Sequence, residues 1–146
     1  MIYTIGFTGK TAEEFFSILT EHKIKTLIDI RLNTKSQLSA FAKMPDLEFF
    51  LKQLCRISYI YYPGLAPSDD LLSAYRKKEI DWPGYETRYL ALLEERHTAP
   101  ALKKELRKWK LPVCLLCAEQ TAKFCHRRLA AEFISHNVKT MEIIHL

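Results

Sequence analysis

Short apolar runs alternate along this chain with segments whose apolar residues recur at helical spacing, and this alternation restricts the fold more than any other feature. The first helical pattern follows Thr11. Thr11 and Glu14 have the spacing of a capping box, which predicts a helix over residues 12–22. The runs typical of strands lie at residues 2–5, 26–31, 57–62, 112–117 and 139–144. We therefore predict an α/β fold with a mostly parallel sheet of about five strands, flanked by helices on both faces.

The stretch between the third and fourth predicted strands is long and helical in character. We interpret it as a helical insertion within a single domain that covers residues 1–146, because no repeat or linker interrupts the sequence. Residues 33–45, by contrast, are polar and weakly patterned, and we expect a long loop there. The helices predicted in the insertion cover residues 68–78, residues 84–96 after a break at residues 82–84, and a segment from Pro100 to about Trp109.

Composition narrows the class of protein. Hydrophobic residues make up 48% of the chain and charged residues 27%, which is enough apolar material for one core. No stretch approaches the roughly 18 to 20 apolar residues of a membrane span, and the first residues lack the pattern of a signal peptide. We expect a cytosolic protein with no membrane partner.

The net charge of +5 favours an anionic partner, with nucleic acid as an alternative, although the basic residues are spread along the chain.

Polar and charged residues follow several of the predicted strands. Because ligands bind outside the carboxyl ends of parallel strands, these residues are candidates for a site. They are Gly6, Asp29, Arg31, Tyr62 and Cys117. Asp29 and Arg31 share one face of their strand, so they form either a structural ion pair or a ligand contact in which Arg31 binds an anion.

The segment Cys117–Arg128 is the strongest candidate for a functional site, since it contains a strand end, a loop and a helix start. The start of a helix favours anions, and its field together with Arg127 would stabilise a thiolate at Cys125. Glu119 and His126 could transfer protons there. A thiol packed at a helix start, with no chemical role, is the alternative for Cys125. Two further cysteines, Cys55 and Cys114, lie within apolar patterns and are expected to be buried thiols.

Two specific chemistries fit this segment less well. Cys117, Cys125 and His126 are possible zinc ligands, but their spacing matches no standard structural-zinc pattern, and we predict neither a metal nor a cofactor. Cysteine phosphatases and sulfurtransferases place an arginine after a loop of five residues, whereas this chain has Lys123 there. Glu119 within the loop would also repel a phosphate dianion.

Four short motifs stand out in the chain: Thr4-Ile5-Gly6-Phe7, Asp29-Ile30-Arg31, Leu116-Cys117-Ala118-Glu119 and Cys125-His126-Arg127. Together they resemble the signature of the domain-of-unknown-function 488 family. Pro63-Gly64-Leu65-Ala66 and Lys35 depart from the usual pattern of that family. The resemblance implies the same fold class and a role for the motif residues, but it implies no reaction.

These observations lead to three hypotheses. The first is an enzyme or small-ligand protein that acts on an anionic molecule. Its expected catalytic residues are Cys125, Cys117, His126 and Glu119, and its expected ligand contacts are Arg127, Arg31, Asp29, Gly6 and Tyr62.

The second hypothesis is a nucleic-acid-binding module, in which lysines and arginines contact phosphates and tyrosine or tryptophan rings stack on bases. Its candidate contacts are Lys35, Lys43, Arg127, Arg128, Tyr61, Tyr62 and Trp82. The third is a non-catalytic role, in which Glu119 pairs with Arg127 or Arg31 and fixes the loop. The oligomeric state does not follow from the sequence.

Overall fold

Five strands form the centre of the computed structural model, which describes residues 1–146. They are β1 (Ile2–Gly6), β2 (Thr26–Asp29), β3 (Ser58–Tyr61), β4 (Val113–Cys117) and β5 (Ile143–His145). They lie in the order β3-β2-β4-β1-β5, and each pairing is parallel. The predicted α/β fold is confirmed, with a sheet that is entirely parallel.

Helices cover the sheet on both faces. The six α-helices are α1 (Ala12–Glu21), α2 (Asp46–Phe50), α3 (Asp69–Arg76), α4 (Trp82–Glu95), α5 (Thr98–Glu105) and α6 (His126–Asn137). Helices α3, α4 and α5 lie between β3 and β4, so the predicted helical insertion is confirmed. None of the helices has both the length and the apolar character that crossing a bilayer requires.

Two apolar clusters, one on each face of the sheet, form the core. Val113 and Leu115 of β4 belong to a cluster of 17 buried residues that includes residues of α3, α4, α5 and α6. Cys114 and Leu116 belong to a second cluster of 13 buried residues, which includes residues of α1 and α2. Successive side chains of a strand point to opposite faces, which is why a continuous apolar run is needed when both faces are covered.

Several predicted boundaries were wrong. The break predicted at residues 82–84 is instead the first turn of α4, because Asp81 accepts a hydrogen bond from the Gly84 N–H at 2.9 Å and proline is tolerated in a first turn. Helix α5 ends at Glu105, and Trp109 lies beyond it with its ring packed against Tyr62 at 5.7 Å. The first error thus comes from a local cap that the sequence reading overlooked, and the second from packing against a distant residue.

The predicted loop after β2 and the last strand also differ from the structure. Residues Gln37–Ala42 form a 3₁₀ helix within the loop, and Ser36 accepts a hydrogen bond from the Leu38 N–H at its start. The last strand is Ile143–His145 rather than residues 139–144. It pairs with β1 alone, at the edge of the sheet.

The strand order decides where the polar strand ends meet. Strand β4 lies between β2 and β1, with Leu116 beside Asp29 and Cys117 beside Gly6. The carboxyl ends of these three strands therefore lie side by side at one edge of the sheet. The connection from β4 to α6 starts at this edge, and ligands of parallel sheets bind in this region.

Candidate functional site

The loop between β4 and α6 is fixed against the end of β1. A Cβ atom at Gly6 would collide with the carbonyl oxygen of Glu119, so only glycine leaves room for the loop. The guanidinium of Arg127 donates hydrogen bonds to the carbonyl oxygens of Glu119 and Gln120, the latter at 3.2 Å. Arg127 is only 1% exposed. Its side chain therefore stabilises the loop from within the fold, and the loop in turn places both of its terminal cysteines.

Cys117 and Cys125 meet the ring of His126 at this point. Cys117 ends β4, Cys125 is the N-cap residue of α6, and His126 is the first residue of that helix. Cys117 Sγ lies 3.6 Å from His126 Nδ1, and Nε2 of the same ring lies 2.9 Å from the carbonyl oxygen of Ile30. A carbonyl oxygen only accepts, so Nε2 carries a hydrogen. The two thiols and Nδ1 lie within 4.8 Å of one another, and we call these three residues the Cys/His cluster.

The contacts within the Cys/His cluster shift the pKa values of its members. The pKa of the Cys117 thiol lies well below its ordinary value, because Cys125 donates a hydrogen bond to it and His126 adds its charge and a further bond. The bond that Cys125 donates to Cys117, together with burial, raises the pKa of Cys125. Burial lowers the pKa of His126, but the charge of Cys117 and the hydrogen bonds to Cys117 and to the Ile30 carbonyl together outweigh it, so the net pKa is raised. Negative charge therefore resides on Cys117 rather than on Cys125.

Asp29 and Arg31 form a buried ion pair beside the cluster. Arg31 Nε lies 2.9 Å from Asp29 Oδ1 and Nη2 lies 2.6 Å from Oδ2, while the Tyr59 hydroxyl donates to Oδ2 at 2.8 Å. Arg31 Nη2 also donates to the carbonyl oxygen of Ala42 at 2.8 Å. Its other terminal nitrogen, Nη1, is buried and has no hydrogen-bond partner. Two nitrogens of the guanidinium thus bind within the fold, and Nη1 remains a donor without a partner.

A cleft of about 770 Å³ opens above these groups. Members of the Cys/His cluster line it, as do Arg31 and Glu119. Its aromatic wall consists of Phe7, Tyr75, Trp82, Tyr85 and Phe124. The cleft thus joins five residues that the sequence singled out with an aromatic wall that comes largely from the helical insertion.

The remaining predicted ligand contacts lie outside the cleft lining. Asp29 is fully buried beneath Arg31, Gly6 packs against the loop, and Arg127 bonds to loop carbonyls. Tyr62 packs edge-on against Trp109. The lining of the cleft therefore includes Arg31 and not Arg127.

Sequence reasoning missed most of the aromatic wall. Trp82 was considered only as a ring for stacking on bases, and Tyr85 and Phe124 were not considered as site residues. Trp82 and Tyr85 stack with ring centres 5.2 Å apart, and Phe124 meets Trp82 edge-on at 5.7 Å. A signal was present in the cluster of aromatic residues at 75, 82 and 85, but nothing in the local pattern says that this cluster faces the end of β4.

Arg128 and Glu119, which belong to the two other hypotheses, differ in their contacts. Arg128 forms ion pairs with Glu86 at 3.1 Å and with Glu132 at 2.9 Å, and its guanidinium lies over the Trp82 ring. The carboxylate of Glu119 is exposed and forms no ion pair, and its contact with Arg127 is made by the backbone carbonyl. The loop is therefore fixed through its backbone, which leaves the Glu119 side chain at the cleft.

Comparison with known proteins gives a family and no activity. Neither a curated protein nor a solved structure matches the chain. A family model described as "Domain of unknown function DUF488" matches residues 11–134, which include α1, β2, β3, β4, the whole helical insertion and the first part of α6. The matched range contains the Cys/His cluster and the Asp29–Arg31 pair. This chain belongs to the DUF488 family of domains of unknown function.

Proposed function

We propose that this protein is an enzyme that acts on a small anionic molecule bound in the cleft at the carboxyl edge of the sheet. The observation that carries the proposal is that the Cys/His cluster shares this cleft with Arg31, whose buried Nη1 has no partner. A buried donor without a partner costs about 1–3 kcal/mol. A ligand that accepts a hydrogen bond from Nη1 removes this cost, which favours binding. The reacting part of the ligand would then lie against the cluster.

The charges around the cleft favour a singly charged anionic group. Arg31 is already compensated by Asp29, and the exposed Arg76 adds a positive charge to the lining. Glu119 and Asp69 add negative charges to the same lining. A phosphate dianion would be repelled by these carboxylates, whereas a carboxylate ligand would meet less repulsion. We therefore propose a carboxylate as the anionic group.

The aromatic wall favours a ligand with a flat apolar portion. The stacked rings of Trp82 and Tyr85 form a broad apolar surface, and Phe124, which is 51% exposed, extends it toward solvent. Offset and edge-on contacts between aromatic rings contribute about 0.5–1.5 kcal/mol beyond burial. The class of ligand that suits both walls is a small aromatic or otherwise flat carboxylate.

Tryptophan fluorescence tests this proposal, because one of the two tryptophans lines the cleft. In a Trp109→Phe background only Trp82 reports. Benzoate should change the signal saturably, acetate should bind more weakly because it lacks the ring, and phenyl phosphate should bind more weakly because of the cleft carboxylates. Titration calorimetry on the unmodified protein checks that the signal reflects binding.

Arg31→Lys tests the role of the free guanidinium nitrogen. Lysine keeps the positive charge beside Asp29 but loses Nη1, so the affinity for benzoate should fall by about 10-fold or more, as expected for one hydrogen bond to a charged group. Arg88→Lys, an exposed arginine of α4 outside the cleft lining, serves as the matched control and should bind like the parent. Absence of saturable benzoate binding, or equal affinities in both variants, would contradict the proposal.

A further inference from the structure

We propose that the Cys/His cluster is a metal centre in which Cys117, Cys125 and His126 bind one zinc ion and leave the fourth coordination position to the cleft. This inference concerns the cluster itself. It rests on the proposed function only for the statement that substrate or water from the cleft supplies the fourth ligand.

The spacing of the donor atoms suits a tetrahedral ion. Zinc lies about 2.3 Å from a cysteine sulfur and about 2.0–2.1 Å from a histidine nitrogen, so a sulfur and a nitrogen on one ion are roughly 3.6 Å apart. Cys117 Sγ and His126 Nδ1 are separated by 3.6 Å, and all three donor atoms lie within 4.8 Å. The side chains therefore need only small rotations to bind one ion.

Two of the three donors also have the outer contact that is typical of a metal ligand. The Ile30 carbonyl accepts from His126 Nε2 at 2.9 Å, so in the neutral ring Nδ1 presents a lone pair to the sulfurs. The backbone nitrogen of Arg127 lies 3.5 Å from Cys125 Sγ and donates to it. Amide groups that donate to sulfur stabilise the thiolate form, which is the form that binds metal.

The number of ligands indicates the kind of zinc site. Structural zinc is enclosed by four protein ligands, and the spacing in this sequence fits no such pattern. Catalytic zinc keeps three protein ligands and an open position, and two cysteines with one histidine are a known set of this kind. All three residues are more than 90% buried and yet line the cleft. Two thiolates balance the charge of Zn²⁺, so the buried site needs no further counter-ion.

Zinc titration of the reduced, metal-stripped protein tests the inference with no organic ligand present. We expect one zinc per chain, measured by elemental analysis after gel filtration and by competition with a chromophoric chelator. Cobalt in place of zinc should give the thiolate-to-metal charge-transfer absorption and the intense visible bands of a tetrahedral site. On the unmodified protein, zinc should protect Cys117 and Cys125 from alkylation, as read by peptide mapping, and leave Cys55 unprotected.

Single substitutions locate the site. Cys117→Ser, Cys125→Ser and His126→Gln should each weaken zinc binding by at least about 100-fold, since even outer contacts of a metal ligand contribute 10–100-fold. Cys55→Ser is the matched control, because that half-buried thiol lies outside the cluster, and it should bind zinc like the parent. Circular dichroism checks the fold of each variant, and the protection measurement stands even if a variant unfolds.

Three results would overturn the inference. The first is a stripped protein that takes up less than one zinc per chain. The second is a cobalt-loaded protein that shows visible bands without thiolate absorption, and the third is zinc uptake that leaves Cys117 and Cys125 open to alkylation. Because benzoate binding is measured separately, loss of the zinc inference leaves the proposed anionic substrate standing. Failure of benzoate binding, conversely, leaves the zinc result intact.

Discussion

Replacing Asp29 by asparagine removes the charge that positions Arg31 in the wall of the cleft. The carboxylate accepts from two guanidinium nitrogens at 2.9 and 2.6 Å and from the Tyr59 hydroxyl at 2.8 Å. Asp29 is 0% exposed, so water cannot take the place of its carboxylate. Asparagine has almost the same shape, and the change is therefore chiefly one of charge.

The magnitude follows from the burial of the pair. Removing one partner of a buried ion pair costs about 3–5 kcal/mol, because the remaining charge is left uncompensated. The asparagine oxygen can still accept one of the hydrogen bonds, which places the expected loss near the lower end, at about 3 kcal/mol. For a domain of this length, about 2–4 °C per kcal/mol gives a fall in melting temperature of about 6–12 °C.

Urea unfolding followed by circular dichroism measures this loss directly. Glu105→Gln is the matched control, because Glu105 pairs with Lys108 at 2.7 Å at the surface, where the two side chains are 37% and 68% exposed. An exposed pair contributes about 0–1 kcal/mol, so this variant should unfold almost like the parent. If Asp29→Asn also costs less than about 1 kcal/mol, the charge of Asp29 is not needed to compensate the buried charge of Arg31, and the reasoning is refuted.

Three further predictions concern the same edge of the sheet. Gly6→Ala forces a methyl group against the Glu119 carbonyl and should lower the free energy of unfolding, measured in urea, by about 1–3 kcal/mol. An unchanged free energy of unfolding would show that the loop can move away. Arg127→Met removes the charged hydrogen bonds to the loop and should cost about 1.5–3 kcal/mol and speed limited proteolysis between β4 and α6, whereas a parental cleavage rate would contradict this role. Burial first, and then the charge of Asp29, raise the pKa of Tyr59. The folded state thus retains this proton above pH about 10, where the unfolded chain releases it, so stability should fall as the pH rises past 10. Tyr59→Phe should lose less stability between about pH 9 and 11 than the parent, and identical slopes would refute the assignment.

Local patterns predicted the elements where neighbours along the chain supply the contacts. The capping box at Thr11 is present, with the Glu14 N–H 3.1 Å from Thr11 Oγ1 and the Thr11 N–H 2.7 Å from the Glu14 carboxylate. The buried run of β4 is apolar on both sides because helices cover both faces of the sheet. Where the contact comes from a distant segment, as for Trp109 against Tyr62, the predicted helix end was wrong.

The same distinction explains what was foreseen of the candidate site. The order of polar residues after apolar runs identified the strand ends, and parallel topology placed Cys117 beside the other strand ends. The sequence could not decide whether Arg31 or Arg127 contacts the ligand, since both belong to motifs at the carboxyl edge of the predicted sheet. In the structure Arg127 bonds to loop carbonyls, whereas Arg31 lines the cleft.

By itself, the sequence determined the α/β class and the approximate strands and helices, and it indicated the segment Cys117–Arg128 as the strongest candidate for a site. These follow from periodicity and from short-range hydrogen bonds, which depend only on near neighbours. Only the tertiary structure decided that two cysteines and one histidine converge, because that depends on β4 lying between β1 and β2 and on the loop packing against Gly6. The ring of His126 is oriented by Ile30, a residue 96 positions away, and no local pattern encodes such a contact.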